Sequence, residues 1–92
     1  MTVRINDISF DRVSYDRDAD VLYLHAGDPA TAVDFDGTPE GHHIRFDQDG
    51  KLVGITIVGA KRELEREGKI TITIPDRVEV GPEALDEVLA VA

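Results

Sequence analysis

Short runs in which apolar and polar residues alternate make up most of this chain, and turn residues separate them. Alternation with a period of two is typical of strands that bury one face. The isoleucines and threonines of residues 69–74 follow this pattern most strictly. The pattern predicts strands over 8–15, 21–26, 31–36 (a weaker edge strand), 43–47, 52–57 and 69–74.

A hairpin is predicted where Asp49 and Gly50 separate two of these runs. Asp-Gly suits a two-residue type I′ loop, which needs positive φ at both central positions. This loop predicts a register with two sets of paired residues. The first set pairs Phe46 with Val53, Ile44 with Ile55 and His42 with Ile57. The second set pairs Asp47 with Leu52, Arg45 with Gly54 and His43 with Thr56. The first set forms an apolar face and the second a mainly polar one, so turn and pattern agree.

The last third of the chain predicts a strand followed by a helix. Residues 61–68 contain one apolar side chain, Leu64, which predicts a solvated turn or a single helical turn. After residues 69–74, Pro75 and Asp76 end the strand, and 78–80 extend past the bend. Pro82 and Glu83 suit the first turn of a helix. Its apolar stripe is Leu85, Val88, Leu89 and Ala92, which we expect to dock on the sheet or on a second copy.

These elements predict an α+β fold in a single domain, 1–92. We expect a mainly antiparallel sheet of about five strands, built from hairpins, with one short C-terminal α-helix. The predicted core consists of Leu22, Leu24, Ile44, Phe46, Val53, Ile55, Ile57, Ile70, Ile72 and Ile74.

Composition narrows the classes of function. Nineteen acidic against ten basic residues give a formal charge of −9, which argues against a nucleic-acid surface and suits a basic protein partner. The absence of cysteine excludes disulfides and thiol catalysis. No apolar run reaches membrane-spanning length and the N-terminus has no signal-like segment, so we expect a cytoplasmic protein without a membrane partner.

Candidate chemistry is sparse. Asp16, Asp18 and Asp20 have the spacing that opens a calcium loop, but the glycine and the closing glutamate are missing, so turn formation is favoured. Ser9 and Ser14 lie in no nucleophile motif, and no phosphate-binding loop is present. We therefore expect no catalytic residues, no enzyme activity and no cofactor.

The three histidines are His25, His42 and His43. Neighbouring residues of a strand point to opposite faces, so His42 and His43 are poorly placed to bind one metal together. His25 with one of them and an aspartate could form a site if their strands are neighbours. The predicted register places His42 at the rim of the apolar face, which favours a structural histidine over a metal ligand.

Two motifs resemble the small bacterial domain of unknown function 2283. The first runs from Val13 through Tyr15, Asp16, Ala19, Asp20, Leu22 and Tyr23. The second contains Gly50, Val53, Gly54 and Ile55 and ends at Ala60. The resemblance covers residues 13–64 and leaves 69–92 as an added strand and helix. It implies a small β-rich bacterial protein, often encoded beside toxin-like proteins, and no established activity or site residue.

The favoured hypothesis is a non-enzymatic interaction module that forms a homodimer. Val21, Tyr23, Leu52 and Val58 are apolar residues assigned to the face opposite the core, and a second copy would bury them. An antitoxin-like partner of a basic protein is a specific version of this hypothesis. The alternatives are a metal- or small-ligand-binding protein that uses the histidines and, with less support, an acid–base enzyme with a pocket between sheet and helix.

Overall fold

The computed structural model describes residues 2–74 and 77–91. Nine strands, two α-helices and a short 3-10 turn at Pro29–Thr31 follow one another along the chain. The strands are β1 Val3–Ile5, β2 Ile8–Phe10, β3 Arg12–Asp16, β4 Val21–His25, β5 Asp34–Gly37, β6 His43–Phe46, β7 Leu52–Val58, β8 Ile70–Thr73 and β9 Arg77–Val80. The helices are α1 Ala60–Glu67 and α2 Pro82–Val91.

Five of the strands form one antiparallel sheet in the order β3-β4-β7-β6-β5. Strand β7 lies at its centre and carries an almost unbroken run of buried residues. The remaining strands form two separate antiparallel hairpins, β1-β2 and β8-β9. The predicted α+β class, with a mostly antiparallel five-stranded sheet and a short C-terminal helix, is confirmed.

The core lies on one face of the sheet, which we call the inner face. Eight of the ten predicted core residues are buried, and Phe46 and Ile74 pack against them half-buried. Helix α2 closes the core from β1 and β3, with Leu85 and Val88 buried and Leu89 half-buried. The helix therefore docks on its own chain. The predicted stripe position Ala92 and the predicted strand break at Pro75 and Asp76 lie outside the described residues.

The hairpin loop is not the predicted type I′ turn. The Asp47 N–H donates to Lys51 O and the Gly50 N–H donates to Asp47 O, which closes a three-residue loop with positive φ at Gly50 alone of its residues. A bulge then pairs Phe46 with Leu52 instead of Val53. The loop is one residue longer than predicted and the bulge adds one residue on the other side of it, so the two changes cancel and Ile44 still pairs with Ile55, as predicted. Leu52 consequently lies on the inner face, not on the outer one.

Four other predictions were wrong in detail. The strand over 8–15 is divided, because β2 pairs with an unforeseen strand β1 while β3 joins the main sheet. Residues 61–68 belong to a two-turn helix whose Ala60 is buried. Residues 78–80 do not extend the strand past the bend, because β9 runs back antiparallel and pairs with β8 in a hairpin outside the main sheet. The edge strand β5 begins at Asp34, after the 3-10 turn, rather than at Thr31.

Candidate functional site: the outer face of the sheet

One face of the sheet points away from the core. We call it the outer face. Residues paired directly across strands point to the same side of a sheet, so the registers fix its membership. Its strand positions are Arg12, Ser14, Asp16, Val21, Tyr23, His25, Phe35, Gly37, His43, Arg45, Gly54, Thr56 and Val58.

Cationic side chains gather at one end of the outer face. A single row of paired positions crosses all five strands there, and only its central member lacks a side chain. In order across the sheet, the row is Arg12, His25, Gly54, Arg45 and Phe35.

Gly54 brings the side chains of two neighbouring strands together. A Cβ atom at this position would lie 3.1 Å from Cδ2 of His25 and 3.3 Å from Cβ of Arg45. Both side chains therefore lie over the glycine, from opposite sides. This close approach is the physical reason for glycine in the second family motif.

His25 is buried on this open face without a polar partner. It is 8% exposed, and within the described residues neither ring nitrogen has a hydrogen-bond partner. A shallow cavity of about 330 Å³ lies against it, lined by Arg12, Ser14, Tyr23, Leu24, His25, Pro29 and Arg45. A buried nitrogen without a hydrogen-bond partner lowers the free energy of unfolding by roughly 1–3 kcal/mol. A ligand or protein partner that forms a hydrogen bond with His25 would remove this penalty.

Three large side chains of the outer face are exposed. Tyr23 and Val58 are each 41% exposed and Phe35 is 65% exposed. Beside them Thr56 is buried, and its hydroxyl has no hydrogen-bond partner among the described residues. The predicted outward placement of Val21, Tyr23 and Val58 is confirmed by the register.

The outer face has a charge unlike that of the whole chain. Asp16 is the one carboxylate among its strand positions, although the chain holds nineteen. One of its oxygens already accepts the N–H of Ala19 in the turn between β3 and β4, 3.2 Å away. The acidic character of the protein therefore lies on its other surfaces.

The first family motif builds a helix cap. The Asp20 carboxylate accepts the N–H groups of Lys61 at 2.8 Å and Arg62 at 3.0 Å, in the first turn of α1. The Tyr15 hydroxyl donates to the same carboxylate at 2.7 Å. Burial, and then this hydrogen bond to Asp20, raises the pKa of Tyr15 to about 12. Burial raises the pKa of Asp20, but the hydrogen bonds from Tyr15 and the two amides outweigh it and lower that pKa overall.

The other motif residues are also structural. Leu22 and Ile55 lie in the core, Val53 is buried at the bulge, and Gly50 has φ +79 in the hairpin loop. The two motifs therefore specify the turn, the cap and the centre of the sheet. Of the ten motif residues, Asp16, Tyr23 and Gly54 lie on the outer face.

The three histidines do not converge. His25 and His43 occupy the outer face, whereas His42 is 1% exposed near α1. Its Nδ1 accepts the Val58 N–H at 3.2 Å and its Nε2 lies 3.6 Å from Oε1 of Glu63. Residues 2–74 and 77–91 contain no group of three or more His, Asp or Glu side chains that is placed to hold a metal ion.

A second, larger cavity lies at the inner edge of the sheet. It has a volume of about 470 Å³, and apolar side chains supply most of its lining, which comprises Asp36, Gly37, Ile44, Phe46, Gly50, Leu52, Thr73 and Ile74. Asp36 is its one carboxylate, so it lacks the pair of carboxyl groups that acid–base hydrolysis of the glycosidase type requires.

Fold and surface together define a small α+β protein whose outer sheet face holds two arginines and a single carboxylate at its strand positions. A family model described as "Protein of unknown function (DUF2283)" matches residues 12–61, and the chain belongs to that family. Neither the comparison with curated proteins nor that with solved structures found a match. No helix in the described part of the chain is both long and apolar enough to cross a membrane.

Proposed function

We propose that this chain is a non-enzymatic protein-interaction module that forms a homodimer through its outer face. One observation supports the proposal above others: large apolar side chains stand exposed on the part of an acidic molecule that is nearly free of carboxylates. Tyr23, Phe35 and Val58 supply the apolar area. Tyrosine and phenylalanine are enriched at the centres of protein interfaces, where charged residues are depleted.

Charge favours this face for self-association. Two molecules that each carry −9 repel one another, and the repulsion is smallest where the approaching surfaces lack carboxylates. The outer face meets that condition and adds Arg12 and Arg45.

A basic, toxin-like partner would have to bind elsewhere on this protein. The outer face holds too few carboxylates to attract such a partner, so the antitoxin-like hypothesis applies to the remaining, acidic surfaces. The metal-binding hypothesis lacks a cluster of ligands among the described residues. Self-association through the outer face is therefore the function that the geometry favours.

The decisive measurement is molar mass in solution, by light scattering after gel filtration, over a wide range of protein concentration. We expect the wild type to reach twice 10.1 kDa. Val58→Asp places a charge in the apolar part of the face and should raise the dimer dissociation constant at least about tenfold, equivalent to roughly 1.4 kcal/mol.

Gln48→Asp is the matched control, because it adds the same charge at an exposed loop position away from the outer face. We expect it to dimerise like the wild type. A wild type that stays monomeric at millimolar concentration would contradict the proposal. If both substitutions weakened the dimer equally, the proposal would also be contradicted, because the effect would then come from the added net charge and not from the position of Val58.

A further inference from the structure

We infer that the pocket around His25 is a binding site for a small oxyanion, a carboxylate or phosphate group of a soluble molecule. The pocket joins a buried unpaired imidazole, two arginines and a serine hydroxyl in one cavity of about 330 Å³. That volume lies at the small end of pockets that bind small molecules. Every group of the pocket belongs to one chain, so the site needs no second copy. Because the proposed dimer would cover the pocket, binding is tested below the concentration at which the chain dimerises.

The imidazole supplies the first requirement of such a site. A neutral histidine ring has one N–H donor and one acceptor, and a protonated ring has two donors. Both nitrogens of His25 are buried and lack partners within the described residues. A ligand oxygen that accepts from the ring would remove the penalty of an unmade hydrogen bond, which is a direct source of affinity.

The two arginines supply the positive charge. Arg12 uses its Nε to donate to Gly27 O at 2.7 Å, which fixes the side chain and leaves its terminal nitrogens for a ligand. Arg45 forms no ion pair and no side-chain hydrogen bond within the described residues. The planar guanidinium group offers paired N–H donors that match the two oxygens of a carboxylate or phosphate.

The lining of the pocket contains no carboxylate that would compete with an anion. Asp11 is an acidic residue that interacts with charged groups of the pocket, and its exposed carboxylate accepts the Gly27 N–H at 2.9 Å. That hydrogen bond is the main reason for the lowered pKa of Asp11, and the charges of Arg12 and His25 contribute further. The carboxylate of Asp11 is thus bound to the backbone outside the pocket, and the positive charges of the pocket remain available to attract an anion.

Glycine at position 54 keeps the pocket open. A methyl group there would meet both His25 and Arg45, the two side chains that form the two sides of the site. A second family motif residue, Tyr23, lines the same pocket. Tyr23 and Gly54, two of the three motif residues on the outer face, therefore lie in or beside the site.

The test is a titration of the full chain at one near-neutral pH, followed by the ring resonances of the histidines in NMR spectra. The probes are inorganic phosphate and acetate, each added at constant ionic strength with chloride as the balancing anion. We expect a saturable shift at His25 and none at His43, the exposed histidine of the same face. Saturation with one probe alone identifies the oxyanion class that the site takes.

Arg45→Gln should weaken the binding at least tenfold, whereas Arg45→Lys retains the charge and should weaken it less. Arg66→Gln removes the same charge from exposed helix α1 and is the matched control, expected to bind like the wild type. The backbone amide spectrum of each variant reports whether it is folded. Absence of a saturable shift with both probes overturns the site, and so does equal weakening by Arg45→Gln and Arg66→Gln.

The same titration on Val58→Asp separates this inference from the proposed dimer. Val58 lies at the other end of β7, four residues from Gly54. A monomeric variant that still binds the anion would support the pocket independently of self-association. A wild type that is monomeric but binds phosphate would contradict only the dimer.

Discussion

At the scale of single residues, Asp20 connects three parts of the molecule. It has positive φ at the start of β4, its backbone carbonyl accepts the Gly59 N–H at 2.7 Å, and its carboxylate caps α1. Aspartate tolerates this backbone conformation better than most residues. The family motif therefore places at one position the backbone shape, the carbonyl and the charge that hold α1 to the sheet.

Replacement of Asp20 by Asn should make stability less sensitive to acid. Because the pKa of Asp20 is lower in the folded state than the ordinary aspartate value of 3.8, its charge stabilises the fold at neutral pH. This contribution is lost as pH falls below that value. We expect Asp20→Asn to lower the free energy of unfolding by roughly 1 kcal/mol at pH 7, the usual size of a helix cap.

The measurement is urea denaturation of both proteins between neutral pH and pH 3. The stability difference should shrink as pH falls. Asp18→Asn, in the same turn but exposed and without a hydrogen bond to α1, is the control. A difference that stays constant with pH would show that the cap does not depend on the charge of Asp20.

A methyl group at Gly54 should be costly for steric reasons. Gly54→Ala forces His25 and Arg45 apart, because the new Cβ would lie 3.1 and 3.3 Å from their atoms. We expect a loss of about 1–3 kcal/mol in thermal or urea unfolding. Gly37→Ala is the control in edge strand β5, where the nearest atom lies 3.8 Å away. If both substitutions lowered the stability equally, the loss would come from the change of glycine in the backbone and not from the contact with His25 and Arg45.

At the scale of elements, the sequence predicted what depends on local pattern. Strand β4, the body of the β6-β7 hairpin and helix α2 all follow from alternation or from helical spacing. The hairpin register was predicted for a partly wrong reason, since a three-residue loop and the bulge at Val53 together give the same offset as the expected turn. The alternation of apolar and polar residues therefore determines which residues face the core, but it does not determine the type of turn between the two strands.

Elements that depend on distant contacts were missed. Helix α1 has only Ala60 and Leu64 toward the core, and its first turn is capped from forty-one residues away along the chain. Nothing near residue 60 carries that information. Strand β1 is three residues long and pairs through the short turn at Asn6 and Asp7, a weaker signal than the Asp-Gly of the main hairpin.

Helix α2 should be essential to the core. Leu85 is fully buried in the core of its own chain, so Leu85→Ala should lower the free energy of unfolding by about 2–5 kcal/mol. Asp86→Ala, exposed on the same helix, should change stability by less than about 0.5 kcal/mol. Urea titration followed by circular dichroism measures both. A small loss at Leu85 would contradict the docking of α2 on its own chain.

At the scale of the whole molecule, the distribution of charge matters more than its sum. A net charge of −9 favours a basic partner, but the outer face holds only one carboxylate, Asp16, at its strand positions. Sequence could assign Val21, Tyr23 and Val58 to that face by alternation. It could not align Arg12, His25 and Arg45 in one row, because this requires the order of four strands.

Salt should therefore strengthen self-association. Added ions screen the repulsion between two molecules of like net charge, so the dimer dissociation constant should fall as ionic strength rises from low to physiological values. Binding to a basic partner would respond in the opposite direction. Light scattering or sedimentation at matched protein concentrations measures the trend. A dissociation constant that increases steeply with salt would contradict packing through the outer face.

The cap that joins Asp20 to α1 has a consequence for the order of folding. An eight-residue helix is too short to persist alone in water, and its cap becomes available only when β4 lies beside β7. Helix α1 should thus form after the central strands have paired, with little presence in the folding transition state. Its hydrogen-bonded amides would then report on the pairing of β4 with β7, since separation of these strands releases the helix.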